Sequence, residues 1–181
     1  MVTIRSIIHS PKEVIFMNKK LLPLAITVIT ASVFIGYIVS QTIAAKSYEE
    51  IFTESVATVC SGFSRSESFS DGFSISTYSR SDPSVSVVIN TYKKTKDANE
   101  AYESRYVYGI GGLPEGGSTQ NLAHGTKVYL IHDRKNAAYL CCGQVGSKIV
   151  FGIRSGDGNY FSVLYTSIRD TYFDYCIKAG M

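Results

Sequence analysis

"KVYLIHDRKNAAYLCCGQVGSKIVFGIR", residues 127–154, decides the fold. Three runs rich in Val, Ile, Tyr and Phe, at 127–132, 137–142 and 148–154, are separated by "DRKN" and "GQVGS", which have the composition of turns. The spacing predicts three antiparallel strands joined by hairpins. With simple hairpins Tyr139 falls opposite Leu130 on one side and Phe151 on the other, and Cys141 falls opposite Val128. Side chains alternate across a strand, so one face carries Val128, Leu130, His132, Ala137, Tyr139, Cys141, Ile149, Phe151 and Ile153. That is the expected core face. The other carries Lys127, Asp133, Cys142, Lys148 and Arg154 among some apolar residues.

Upstream, "SYEE" at 47–50 fits a capping box, and Tyr48, Ile51, Phe52, Val56 and Val59 recur at helical spacing up to a stop near Gly62. The serine-rich stretch that follows alternates apolar and polar residues around Phe73 and Ile75, and again at Val85, Val87 and Ile89, with "RSDP" as the turn between two strands. "TKDANEAYESRY" predicts a second helix capped by Thr95, with Ala98, Ala101, Tyr102 and Tyr106 on one side. The loop "GIGGLPEGGSTQNLAHG" has glycines at P-loop spacing, at Gly112 and Gly117, but Ser118 stands where the phosphate-binding lysine belongs. A surface loop is the expected reading. In the last segment Asn159 is the expected cap of a helix using Leu164, Ile168, Tyr172 and Cys176, with Gly180 as its stop. The order is helix, two strands, helix, three strands, helix. It defines an α+β domain with about five antiparallel strands packed by helices.

The N-terminal part is of another kind. Residues 21–45, "LLPLAITVITASVFIGYIVSQTIAA", contain no charge, and 25 residues at about 1.5 Å each exceed a hydrocarbon core of about 30 Å. Arg5, Lys12, Lys19 and Lys20 precede the run against Glu13 alone, which places the leader, 1–20, in the cytoplasm and sends 46–181 across the membrane. The expected arrangement is a single-pass membrane protein touching the lipid bilayer through 21–45, with an extracytoplasmic domain beyond it. The alternative is secretion after cleavage near Ala45; the apolar run is longer than the usual signal-peptide core of about 7 to 15 residues, which favours the anchor. Met17, followed by "NKKLLPLAITV", is a second candidate start. A pilin arrangement is disfavoured, because Leu21 follows the basic pair and no acid enters the apolar run. The leader carries the whole net charge of +3, so the exported part is formally neutral, which disfavours a nucleic-acid partner, and none is expected.

Four cysteines, Cys60, Cys141, Cys142 and Cys176, are the disulfide candidates expected of an exported domain. Neighbours on a strand point apart, so Cys141 and Cys142 would take different partners, one Cys60 and the other Cys176; the other connectivity joins Cys60 to Cys176 and leaves a strained vicinal pair. The same geometry argues against a shared metal or a redox pair. No catalytic constellation, metal site or cofactor motif is predicted. The chain has 13 tyrosines and no tryptophan, and Tyr106, Tyr108, Tyr160, Tyr165, Tyr172 and Tyr175 are the candidate binding surface, since tyrosine joins apolar area to a hydrogen-bonding tip. The expected function is therefore a non-catalytic, membrane-anchored binding or structural domain with an envelope protein or polymer as partner. The alternative is a thiol-redox or metal-binding protein using Cys141 and Cys142.

Overall fold

The structure is a computed structural model describing residues 46–104, 106–107, 111–112, 117–122 and 126–181. The leader 1–20, the apolar run 21–45 with its expected bilayer contact, and Tyr108 lie outside the described residues. Among the described residues no helix is long and apolar enough to cross a membrane.

The chain starts with helix α1 (Tyr48–Val59), followed by strands β1 (Ser64–Ser70), β2 (Phe73–Ser81) and β3 (Ser84–Tyr92) and helix α2 (Thr95–Glu103). The short strands β4 (Tyr106–Val107) and β5 (Gly111–Gly112) pair with each other. Strands β6 (Ser118–Asn121), β7 (Lys127–Asp133), β8 (Ala138–Val145) and β9 (Ile149–Ser155) follow, and helix α3 (Gly158–Lys178) ends the chain. The main sheet has seven strands in the order β1-β2-β3-β9-β8-β7-β6, every neighbouring pair antiparallel. The fold is α+β.

Two strands exceed the expected five in this sheet, and both are polar edges. β1, "SRSESFS", is exposed along its whole length and shows no apolar alternation. It is set by the Asp71-Gly72 turn, where Gly72 adopts φ +93° and Ser70 pairs with Phe73. β6, "STQN", is equally exposed and falls in the stretch expected to be loop. The Tyr129 hydroxyl accepts the Gly117 N–H at 2.7 Å beside it.

The 127–154 meander has the expected faces in a different register. Tyr139 pairs with His132 and Ser155, and Cys141 with Leu130 and Ile153. The hairpin between β7 and β8 turns at 134–137 rather than at "DRKN", because the Asp133 carboxylate accepts the N–H groups of Lys135 at 3.1 Å and Asn136 at 3.2 Å and the Asn136 side-chain amide at 2.6 Å. Ala137, expected on the core face, belongs to this turn with φ +47°. Each slip is an even number of residues, so no side chain changes face.

Both faces are cores, which the expectation of one core face missed. On one, α1 and α3 cover Val87, Ile89, Val128, Cys141, Val145, Ile149, Phe151 and Ile153. On the other, Ala98 and Tyr102 of α2 pack on Ile75, Val88, Leu140, Cys142 and Val150, and Gln144 Nε2 donates to Asn99 Oδ1 at 2.7 Å. Strand β8 is therefore buried from both sides, apart from the half-buried Tyr139.

The helix starts follow local chemistry. Ser47 Oγ accepts the Glu50 N–H at 3.2 Å and Glu50 Oε2 accepts the Ser47 N–H at 2.8 Å, the expected capping box. The cap of α3 is Asp157, not Asn159, its carboxylate accepting the Tyr160 N–H at 2.9 Å. Lys94 rather than Thr95 occupies the cap position of α2, with no side-chain bond. Gly180 ends α3 at φ +75°, its N–H bonding Ile177 O and that of Met181 bonding Cys176 O, both at 3.0 Å.

Where the two covering helices meet the sheet, Phe151 lies across its cross-strand partner Gly143. A Cβ on Gly143 would stand 2.1 Å from the Phe151 ring. Gly143→Ala is expected to cost about 1–3 kcal/mol through overpacking. Denaturant unfolding checks this, with a smaller cost for the same change in a Phe151→Leu background; equal costs in the two backgrounds would show that the ring is not the obstacle.

Candidate functional site

α1 and α3 cover the middle of the sheet but leave the β6–β7 flank partly open. Residues Gly158, Phe161, Ser162, Tyr165, Thr166 and Arg169 recur at three- and four-residue steps and form one side of α3. They face Gln120 on β6, Leu130 and His132 on β7, and Tyr139 on β8, enclosing an open groove of about 520 Å³. That size lies within the roughly 300–1,000 Å³ range of ligand sites.

The groove has an aromatic floor. His132 and Tyr139, direct cross-strand partners, stack at 4.2 Å with 4° between their planes. Tyr139 continues to Phe161 at 6.1 Å, and Phe161 lies parallel to Tyr165 at 6.3 Å. Tyr139 also rests on the first residue of α3, where a Cβ on Gly158 would be 2.4 Å from its ring. The rim supplies neutral hydrogen-bonding groups from Gln120, Ser162 and Thr166, and one cation, Arg169, which is bonded to Asp170 at 2.9 Å. Such an arrangement can stack on flat faces and hydrogen-bond hydroxyls or amides.

The predicted tyrosine surface divides. Tyr165 lines the groove, but its hydroxyl is buried without a protein hydrogen-bond partner, and burial pushes its pKa up to about 12. Tyr172 belongs to the core: its ring meets Phe52 edge-on at 5.7 Å, and its hydroxyl and that of Thr126 lie 3.4 Å apart. Burial raises its pKa as well. Tyr160 sits under Arg80 at the start of α3, and Tyr175, near its end, meets the Thr58 hydroxyl at 3.3 Å on α1. Tyr106 lies on β4, away from the main sheet's ladder. Of the four whose side chains are described, Tyr160, Tyr165, Tyr172 and Tyr175, the structure brings Tyr165 into the groove. His132, Tyr139 and Gln120 were not among the predicted binding residues; the signal for the first two was their shared face on neighbouring strands.

No disulfide joins the four cysteines, and all four are buried. Cys60, Cys141 and Cys176 share the core beneath α1 and α3, whereas Cys142 faces α2. The pairing that divides Cys141 and Cys142 between Cys60 and Cys176 does not fit this topology, because both terminal helices lie on the Cys141 face. Burial pushes the Cys60 thiol up to about 12 and raises those of Cys141 and Cys176. Among the described residues no group of three or more His, Cys, Asp or Glu side chains could hold a metal ion.

No protein-family profile matches the chain, and a comparison with curated proteins found no match. Among solved structures it is similar to a GTP binding regulator from Thermotoga maritima, at 12% identity and a TM-score of 0.37, covering 67% of this chain and 85% of that one. This likeness is too distant to carry a functional argument.

The raised thiols make stability fall at high pH. A thiol held protonated by burial stabilises the fold fully below its unfolded value of about 9, and for Cys60 that contribution is lost as pH rises toward about 12. Unfolding free energy is expected to decline from pH 8.5 to 11, and less steeply in Cys60→Ala. Thiol labelling without reductant should be slow at all four sites in the native chain and complete on unfolding. Rapid native labelling, or a disulfide found by peptide mass mapping, would contradict the buried-thiol assignment.

Proposed function

We propose that this chain is a non-catalytic, membrane-anchored binding protein whose extracytoplasmic domain holds an uncharged envelope polymer or protein segment in the groove between α3 and the β6–β8 flank. The observation that carries the reading is the stacked His132–Tyr139 pair on the floor of that groove, continued by Phe161 and Tyr165 and rimmed by neutral hydrogen-bonding groups. Aromatic faces with amide and hydroxyl neighbours suit sugar rings or extended peptide. The anchor in this reading is the uncharged run 21–45, oriented by the basic leader. Thiol chemistry is the less favoured reading, since a thiolate is the reactive form and burial opposes it at Cys60, Cys141 and Cys176.

The test is nuclear magnetic resonance titration with N-acetylglucosamine oligomers and, separately, with neutral peptides. Shifts are expected at His132, Tyr139, Ser162 and Thr166, with binding about three- to tenfold weaker in His132→Ala, the loss of one aromatic contact. His132 is exposed, so this change leaves the core intact. Shifts confined to other surfaces, or none with either probe, would remove the groove from consideration. For the anchor, the full chain is expected to stay with membranes after alkaline carbonate extraction, with 46–181 protease-accessible only from outside; release into the supernatant would favour the secreted form.

A further inference from the structure

At the end of the sheet remote from the groove, β1 pairs, among the described residues, with β2 on one side only. The Asp71-Gly72 turn closes on the Ser70–Phe73 pair, and hydrogen bonding alternates along an antiparallel ladder. The backbone groups of Phe69, Glu67 and Arg65 are thereby turned outward, away from β2. Their side chains share one face, where the Arg65 guanidinium is bonded to Glu67 and lies over the Tyr78 ring, and Phe69 is 83% exposed.

The segment at 63–69 reads "FSRSESF". About Ser66 it is its own complement: arginine and glutamate stand one residue to either side, then serine and serine, then phenylalanine and phenylalanine. We propose that β1 pairs antiparallel with β1 of a second copy of this chain about a two-fold axis at Ser66. In that register Arg65 lies opposite Glu67 of the other copy, and Glu67 opposite its Arg65. The exposed Phe69 arrives beside Phe63 of the other copy, and the outward-turned backbone groups bond each other. Shifting the register by two residues sets Arg65 against Arg65 or Glu67 against Glu67, so the charges select one register. Charged residues on an edge strand ordinarily block pairing. Here the two signs are placed so that they disfavour the two neighbouring even registers. The strand at the opposite edge, "STQN", has no such symmetry.

The contact is one strand wide, smaller than the roughly 1,200–2,000 Å² of a stable interface, so dissociation in the micromolar range or weaker is expected. Sedimentation of the full chain in mild detergent should show a reversible monomer–dimer equilibrium. Glu67→Arg alone and Arg65→Glu alone should each weaken it at least about tenfold, and the double exchange R65E/E67R should restore it. Both residues are exposed, so these variants should keep the native circular dichroism. Ser66→Cys should give an intermolecular disulfide under mild oxidation, because a non-hydrogen-bonded pair holds its Cα atoms about 4.5 Å apart. Ser64→Cys and Ser68→Cys should cross-link when mixed but not singly. A chain that stays monomeric, a dimer indifferent to single charge reversal, or self-cross-linking at residue 64 would each overturn the proposal.

Discussion

The ring of Phe151 lying across the bare Cα of Gly143 is the contact on which the helix-covered face depends. Any side chain at 143 would lift the ring, and the ring is what the helices rest on. Phe52 of α1 meets Phe151 at 4.5 Å, and Tyr172 of α3 meets Phe52 edge-on at 5.7 Å. The three aromatic side chains place sheet, first helix and last helix in one cluster. α1 is fixed a second time at its N-terminus, where Glu49 Oε1 accepts the Ser147 N–H at 2.9 Å in the β8–β9 turn. Gly146 in that turn has φ +57°, and a Cβ there would strike the Glu49 carboxylate. With α1 held at these points and α3 packed beside it, the flank of the sheet beyond α3 is only partly covered, and the groove lies there.

Burial on both faces also accounts for the paired cysteines. β8 sits between α2 on one side and the α1–α3 pair on the other, so successive residues enter separate cores. Cysteine behaves as a small hydrophobe when buried. At 141 and 142 it fills each core beside the glycine that admits Phe151. The adjacency that invites a chemical reading thus follows from the period of a strand covered on both sides.

How much of this was legible depended on what each residue reports. The 127–154 meander was readable because alternation survives an even slip in register: the hairpin turned one residue later than "DRKN", yet Leu130, His132, Tyr139 and Cys141 kept their shared face. The capping box at Ser47 and the stop at Gly180 were readable because both are local chemistry. β1 and β6 were not, since neither has an apolar face to report, although Asp71-Gly72 carried a hairpin signal for the first. The tyrosines misled for a different reason. A tyrosine on a helix serves core margin and surface equally well, and the phase of α3 against the sheet, which sequence alone does not fix, sends Tyr172 into the core and Tyr165 to the groove.

The groove and β1 occupy opposite ends of the sheet order, with β2, β3 and β9 between them. That separation has a physical consequence for a pair of copies joined at β1. Joining two copies at β1 extends the sheet without covering either groove, and leaves the two grooves on the outer flanks, about eleven strand spacings of 4.8 Å or roughly 50 Å apart before twist shortens the span. Two weak sites held at a fixed distance bind a polymer long enough to reach both far more tightly than either alone, because the second contact forms at millimolar effective concentration. A short ligand gains nothing from this. A shallow, open groove with neutral chemistry and a self-complementary edge at the opposite end are consistent with one another: in the proposed dimer the first would supply modest affinity per site, and the second would make affinity depend on the length of what is bound.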